Sequence, residues 1–205
     1  MNADPKTAAA LAAIDVSGAD SDTFLQGQLS ADLRELQPGQ VALSAWVNPA
    51  GRVIAIADLV RIADGVRLFL PRDLAAEIAT RLARFVFRAK AGIRPRDETL
   101  AVLADTAAPG TVTRPTPLGR IECFATGETM PAAVTAPGDD WLAARVAQGI
   151  AWIDAAASER YTAHQLNLDL LGAASLDKGC YSGQEIIART AHRGRVKRRV
   201  RGLLA

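Results

Sequence analysis

The order of strand-like and helix-like patterns in the first half of the chain restricts its fold more than any other feature. Apolar or alternating segments typical of strands are interrupted twice by stretches whose apolar residues recur at helical spacing. Turn-forming residues at Asn48–Gly51 and Ala63–Gly65 predict tight connections between successive strands. This order is typical of a ferredoxin-like α+β unit. Its predicted strands are 11–16, 41–47, 52–62, 66–70 and 99–104, and its predicted helices are 20–33 and 72–87.

A stretch rich in helix- and strand-breaking residues, 107–119, follows this unit and contains three prolines and two glycines. Such a stretch favours a domain boundary. We therefore predict a first α+β lobe at 1–107 and a second at 108–205, between which segments of the chain can be exchanged. The second lobe is predicted to hold a strand at 120–125, a helix at 139–148 and a short helix at 161–171.

Composition excludes several classes of protein. Of the 205 residues, 49% are hydrophobic and 22% are charged, which is ordinary for a soluble globular protein. The chain has no apolar run of about 18 residues that would span a membrane and no secretory pattern at its N-terminus. Its two cysteines do not form a disulfide framework, so we predict a cytoplasmic location. Cys123 lies in a strand-like segment and is interpreted as a core residue.

The run Lys178–Glu185, which reads Lys-Gly-Cys-Tyr-Ser-Gly-Gln-Glu, carries the clearest chemical signal. Ser182 and Glu185 have the spacing of a capping box, which predicts that a helix begins here. Cys180 would then lie just outside a helix N-terminus, and the helix dipole and the charge of Lys178 would both favour its thiolate form. Cys180 and Lys178 are therefore the catalytic candidates. The alternative is that Cys180 is a buried, inert residue.

This run and the Ile186–Thr190 segment after it resemble the signature of the YgfZ family of folate-binding proteins. The family is related to the aminomethyltransferase (T-protein) of the glycine-cleavage system. Weaker similarities, in the family's order, extend the resemblance to nearly the whole chain. They lie at 18–20, 24–29, 49–52, 141–150, 167–168 and 197–199.

The resemblance implies a T-protein-like fold in which two ferredoxin-like α+β lobes surround a central folate channel. Family members usually continue into a C-terminal β-barrel. That barrel is expected to be absent here, with Arg195–Leu204 as its unpaired first strand.

Two residues are implied to hold tetrahydrofolate or a derivative. Trp141 matches a tryptophan of the family's folate site, and a flat indole suits a pterin ring. Arg145 follows one helical turn later on the same face and could hold a folate carboxylate or a pterin oxygen. The alternatives are core packing for Trp141 and a surface ion pair for Arg145. Leu11 replaces a second aromatic residue found in some relatives.

Tyr181, Gln184 and Glu185 complete the predicted cofactor-binding set. The Gln184 amide offers both a donor and an acceptor, which suits a pterin edge. The only histidines, His164 and His192, do not have a zinc-site spacing relative to the cysteines, so no metal site is predicted.

The resemblance implies an accessory protein that binds tetrahydrofolate and supports iron–sulfur cluster assembly or repair, and through it tRNA modification. The alternative is a folate-dependent aminomethyltransferase, so whether the protein is an enzyme stays open. Aminomethyltransferases carry two neighbouring aspartates where this chain has only Asp58, and this departure argues against aminomethyl transfer.

The end of the chain is basic. Residues 189–205 hold seven of the 24 lysines and arginines and no acidic residue, which is typical of a segment that meets an anionic partner or of a solvated strand. The expected partners are folate and the iron–sulfur assembly machinery or its client proteins, and no membrane is expected. A direct RNA-binding module is a further hypothesis, weakened because no aromatic residues interleave the tail.

Overall fold

The computed structural model describes residues 11–96, 101–126 and 139–201. Within these ranges the protein combines two antiparallel sheets with four α-helices, which confirms the predicted α+β class. The strands are β1 (Leu11–Ser17), β2 (Val41–Val47), β3 (Val53–Ile62), β4 (Gly65–Pro71), β5 (Gly92–Arg96), β6 (Ala101–Ala104), β7 (Thr111–Pro115) and β8 (Ile121–Ala125). The helices are α1 (Ser21–Gln28), α2 (Arg72–Ala83), α3 (Asp139–Ala147) and α4 (Gln184–Arg193).

The larger sheet has the strand order β2-β3-β4-β1-β5. Its long β2–β3 hairpin is confirmed, and the local sequence explains the turn. The backbone N–H of Arg52 donates to the Asn48 side-chain oxygen at 2.9 Å. Gly51 closes the turn at φ +75°, a left-handed conformation that favours glycine.

Both faces of the larger sheet are covered, which explains why β3 is an almost continuous apolar run. Along β1, Ile14 and Val16 belong to the cluster formed with α1 and α2 on one face. Leu11 and Ala13 point to the other face, where they join a cluster with β8 and α3. That second face positions the candidate sites described below. Residues 150–187 cover its β2–β3 end.

The smaller sheet has the order β6-β8-β7. It takes β6 from before the predicted boundary at residue 107 and β7 and β8 from after it. The smaller sheet therefore combines strands from both sides of that predicted boundary. The boundary itself stays a prediction.

Two predicted helices are too long. The first was expected to reach residue 33, but α1 ends at Gln28. Leu29 is extended and forms an isolated bridge with Trp46, so the chain leaves the helix to follow the sheet edge. The second was expected to reach Phe87, but α2 ends at Ala83.

Two other expectations were wrong, and the boundary candidate contains a strand. The outermost strand of the larger sheet, next to β1, is β5, and as an edge strand it tolerates Pro95. The predicted closing segment 99–104 instead supplies β6 to the smaller sheet, and its residues 99 and 100 lie outside the described residues. The breaker-rich stretch contains β7. Residues 161–171 form turns, with Asn167 at φ +59°, where a short helix was predicted.

The basic segment packs back on these turns. Residues 194–201 are not in a strand, which corrects the expectation for this part of Arg195–Leu204; 202–204 lie outside the described residues. The Val200 N–H donates to the carbonyl oxygen of Gln165 at 2.8 Å, and Arg199 makes a bidentate ion pair with Asp169 at 2.8 Å. No helix in the described part of the chain has the length and apolar character needed to cross a bilayer.

Candidate functional site

The signature run packs against the turn of the β2–β3 hairpin. Gly183 immediately precedes α4 at φ +76°. A Cβ atom at this position would lie 2.5 Å from the carbonyl oxygen of Asn48 and 2.8 Å from a methyl group of Val47. Glycine is therefore required both by the backbone conformation and by the close approach of the hairpin.

The predicted capping box is wrong. Gly183 is the N-cap, and no side-chain hydrogen bond caps α4. Because the helix begins one residue later than the Ser182 spacing predicts, Glu185 does not reach back; its carboxylate instead accepts from Arg189 at 2.5 Å. Cys180 lies three residues before the N-cap, beyond the first turn in which the helix dipole acts strongly.

The two cysteines differ in accessibility. Cys123 is 0% exposed, which confirms its interpretation as a core residue. Cys180 is exposed and forms no disulfide. An exposed free thiol can meet a soluble reactant or a partner protein, whereas a buried one cannot. The catalytic role of Cys180 stays a prediction.

Lys178 anchors the signature to the segment that follows α1. Its side chain is buried, and its Nζ donates to the carbonyl oxygens of Leu29 at 2.6 Å and Ala31 at 2.7 Å. The ammonium also lies 5.0 Å from the centroid of the Tyr181 ring. Burial lowers the pKa of Lys178 to about 8. These contacts give Lys178 a positioning role, and its catalytic role stays a prediction.

The other predicted residues of the signature are held locally. Burial raises the pKa of Tyr181 to about 12, and its hydroxyl donates to the carbonyl oxygen of Ser175 at 3.0 Å. Gln184 donates to the carbonyl oxygen of Lys178 at 3.4 Å. Glu185 is exposed and paired with Arg189. Cofactor binding by these three residues stays a prediction.

Replacing Lys178 with methionine is expected to change how stability depends on pH. The folded chain releases the Lys178 proton near pH 8, whereas the unfolded chain holds it to about pH 10.5. Stability of the wild type should therefore rise between these pH values, relative to the variant, by up to about 3 kcal/mol. Urea unfolding of both proteins at several pH values measures this difference. Identical pH profiles would contradict the assigned burial of the ammonium.

A second group of predicted residues meets on the sheet face that the smaller sheet covers. Leu11, Asp58, Trp141 and Arg145 line one small cavity of about 10 Å³, together with Trp152. Trp141 is 2% exposed and meets the Trp152 ring edge-on at 5.8 Å. The Arg145 guanidinium lies 5.1 Å from the centroid of the Trp141 ring.

Arg145 belongs to a buried ionic network, not to a surface pair. Arg145 Nη1 donates to Asp58 Oδ2 at 2.5 Å, and Arg114 Nη1 donates to Asp58 Oδ1 at 2.8 Å. Arg114 also bonds to Glu122, which is 0% exposed and accepts from Gln148 as well. Two carboxylates thus face two guanidinium groups. Arg114 and Glu122 were not among the predicted site residues, although Glu122 is the single charge in an apolar strand.

Two buried donors beside this cavity lack partners. The indole Nε1 of Trp141 and the Nε of Arg145 have no hydrogen-bond acceptor in the described part of the chain. Buried polar groups are usually satisfied, and those that are not often mark a site for water or a ligand. A planar ligand rich in acceptors would satisfy both donors.

The space for such a ligand adjoins the small cavity. A mostly apolar cavity of about 360 Å³ shares Arg145, Ala151 and Trp152 with it. That volume reaches the lower range of small-molecule pockets. A third cavity, of about 630 Å³, lies beside Arg114 and Gln148.

The signature lies at a separate cavity of about 210 Å³, which Ser182 lines with Trp46, Asn48 and Phe85. It shares no lining residue with the Trp141 cavity. The two groups of predicted residues are therefore not brought together in either of these cavities.

The chain was compared with known proteins. No protein-family model matches it. It is 27% identical over 215 residues to the tRNA-modifying protein YgfZ of Escherichia coli O7:K1 (strain IAI39 / ExPEC), which covers 89% of this chain. It is 29% identical over 219 residues to the tRNA-modifying protein YgfZ of Edwardsiella ictaluri (strain 93-146), which covers 90% of this chain.

In both cases the chain spans 66% of the length of the relative. Among solved structures, the glycine cleavage system aminomethyltransferase T of Bartonella henselae gives a TM-score of 0.41 at 22% identity, over 45% of this chain and 25% of that one. The resemblance indicated by the signature run is thus confirmed: the chain is similar to YgfZ proteins over about nine tenths of its length.

Proposed function

We propose that this chain binds tetrahydrofolate or a derivative and acts as an accessory protein for iron–sulfur cluster assembly or repair, and through it for tRNA modification. One observation supports this function above the others. Trp141 and Arg145, which the resemblance implies hold folate, line one cavity with Leu11 and Asp58, although these residues are far apart in sequence. The relatives named as tRNA-modifying proteins support the biological setting.

The chemistry of the cavity fits a folate. A pterin is flat and carries nitrogen and oxygen acceptors along its edge, and these would satisfy the unpartnered donors of Trp141 and Arg145. Trp152, which meets the Trp141 ring edge-on, lines both this cavity and the 360 Å³ one and offers an aromatic surface to a ring there. Arg114, beside the 630 Å³ cavity, adds a cation that suits a carboxylate tail. When bound, tetrahydrofolate supplies a carrier for one-carbon units.

The proposal includes two ferredoxin-like lobes with a folate channel between them. The small cavity supports this arrangement, because it lies between α3 and the larger sheet, and the 360 Å³ cavity adjoins it along α3. Within such a channel, Asp58 and Glu122 hold the two guanidinium groups in fixed positions.

Aminomethyl transfer is less well supported. A general base needs a carboxylate free to accept the proton of the substrate amine. Both oxygens of Asp58 already accept hydrogen bonds, one from Arg114 and one from Arg145. Asp58, the one carboxylate that this chain keeps where aminomethyltransferases carry two, is therefore already paired with Arg114 and Arg145.

Cys180 is the proposed reactive group in cluster assembly. Its thiolate would bind iron, or attack the outer sulfur of a donor persulfide so that the donor leaves as a thiolate, since the thiolate is the competent form in either case. Exposure of the thiol supports contact with a partner protein. Direct RNA binding through the basic segment stays a prediction; Arg199 of that segment is already paired with Asp169.

Replacing Cys180 with serine is expected to abolish function in cells while leaving the fold intact. In a strain that lacks its own YgfZ protein, the wild-type chain should restore the activity of iron–sulfur enzymes and the level of thiolated tRNA. The Cys180→Ser variant should restore neither, because a hydroxyl does not bind iron or accept sulfur as a thiolate does. Cys123→Ala is the matched control and should retain function. Full restoration by Cys180→Ser would exclude the proposed role.

A further inference from the structure

A row of charged side chains crosses three strands of the larger sheet, on the face that the smaller sheet covers. Asp15 of β1 stands opposite Arg67 of β4 on one side and opposite Arg94 of β5 on the other. Arg96 follows Arg94 by two residues, so both point to the same face. The row thus places three guanidinium groups around one carboxylate.

Asp15 is fully engaged by two of these arginines. Arg67 donates to both of its oxygens, at 2.5 and 2.8 Å, and Arg96 Nε donates to Oδ2 at 2.9 Å. Burial alone would raise the pKa of Asp15, but the hydrogen bonds and charges of Arg67 and Arg96 lower it. Asp15 is therefore a fixed anion that orients two cations, and Arg67 is itself only 2% exposed.

The next row of the same face leaves a recess beside these arginines. There Ser17 stands opposite Gly65 on one side and Gly92 on the other, so two of the three positions carry no side chain. The result is a cavity of about 290 Å³. Its polar lining comes from the three arginines, from Asp15 and Asp64, and from Ser17.

The charge of this recess favours an anion. Three arginines and two aspartates line it, and one of those aspartates, Asp15, is already satisfied. Arg94 is exposed and makes no hydrogen bond or ion pair with any residue in the described ranges. Its planar fork of N–H donors suits an oxyanion, and the Ser17 hydroxyl can add a further donor.

We propose that this recess binds the phosphate group of a small phosphorylated molecule. The three arginines outnumber the two aspartates, which favours an anion, and arginine forks recognise phosphate in a bidentate manner. The site is distinct from the proposed folate site, because the two cavities share no lining residue. It does not depend on the proposed function.

Calorimetric titration of inorganic phosphate into the full chain, in phosphate-free buffer containing KCl, tests the proposal. Saturable binding is expected for the wild type. Arg94→Gln should weaken it about tenfold, because it removes a charge-assisted pair of hydrogen bonds without touching the buried Asp15–Arg67 pair. Arg88→Gln removes the same charge from another exposed position and should change the affinity less than twofold.

Three results would overturn the proposal. The first is the absence of saturable phosphate binding to the wild type. The second is equal weakening by Arg94→Gln and Arg88→Gln, which would indicate only non-specific attraction. The third comes from a parallel titration with a dinucleotide, whose phosphate is a diester. Arg94-dependent binding of the dinucleotide alone would identify a nucleic-acid contact instead of a site for a terminal phosphate.

Discussion

Replacing Asp58 with alanine is expected to lower the free energy of unfolding by about 3–5 kcal/mol, because it leaves two guanidinium groups buried without their anion. Asp58 is 1% exposed and accepts hydrogen bonds from both Arg114 and Arg145. Glu122 alone would then face both cations. Its nearer oxygen is 3.8 Å from Arg145 Nη1, too far for a hydrogen bond. Urea unfolding of wild type and variant measures the loss.

Asp22→Ala is the matched control. Asp22 also pairs with an arginine, Arg61, but its side chain is 54% exposed. Exposed pairs contribute at most about 1 kcal/mol. A loss at Asp58 no larger than the loss at Asp22 would show that the buried network does not support the fold.

Gly183→Ala is expected to cost about 2–4 kcal/mol, in two parts. A left-handed backbone costs a non-glycine residue about 1–2 kcal/mol. The added methyl group would also overlap the Asn48 carbonyl oxygen at 2.5 Å, so the signature must move away from the hairpin. Thermal or urea unfolding would measure the loss of stability.

Gly172→Ala separates the two parts. Gly172 has a similar φ of +68°, but no atom lies within 4 Å of the position its Cβ would take. This variant should lose only the backbone contribution. Equal losses at both positions would contradict the close packing of the signature on the hairpin.

Residues that act through local chemistry could be predicted from the sequence. The β2–β3 hairpin follows from its turn residues, and the core position of Cys123 follows from its strand. A role for Lys178 was also predicted from its place in the signature, but the groups that its ammonium contacts were not. The buried ammonium donates hydrogen bonds to the carbonyl oxygens of Leu29 and Ala31, which are almost 150 residues earlier in the chain.

Features that depend on pairing between distant segments could not be predicted. The start of α4 is set by the contact of Gly183 with the hairpin, and this contact overrides the capping-box spacing. The edge strand β5 contains Pro95 and is largely exposed, so it lacks an apolar strand pattern. The Arg114–Glu122 part of the ionic network forms only because β7 and β8 pair and pack on β3.

The central claim is that tetrahydrofolate binds beside Trp141, and anaerobic calorimetric titration of tetrahydrofolate tests it most directly. The wild type should bind saturably, and Trp141→Leu should weaken binding at least about tenfold through the lost aromatic contact. Trp46→Leu alters another buried tryptophan, one that lines the signature cavity, and should change the affinity less than twofold. No binding by the wild type, unchanged binding by Trp141→Leu, or a loss confined to Trp46→Leu would contradict the claim.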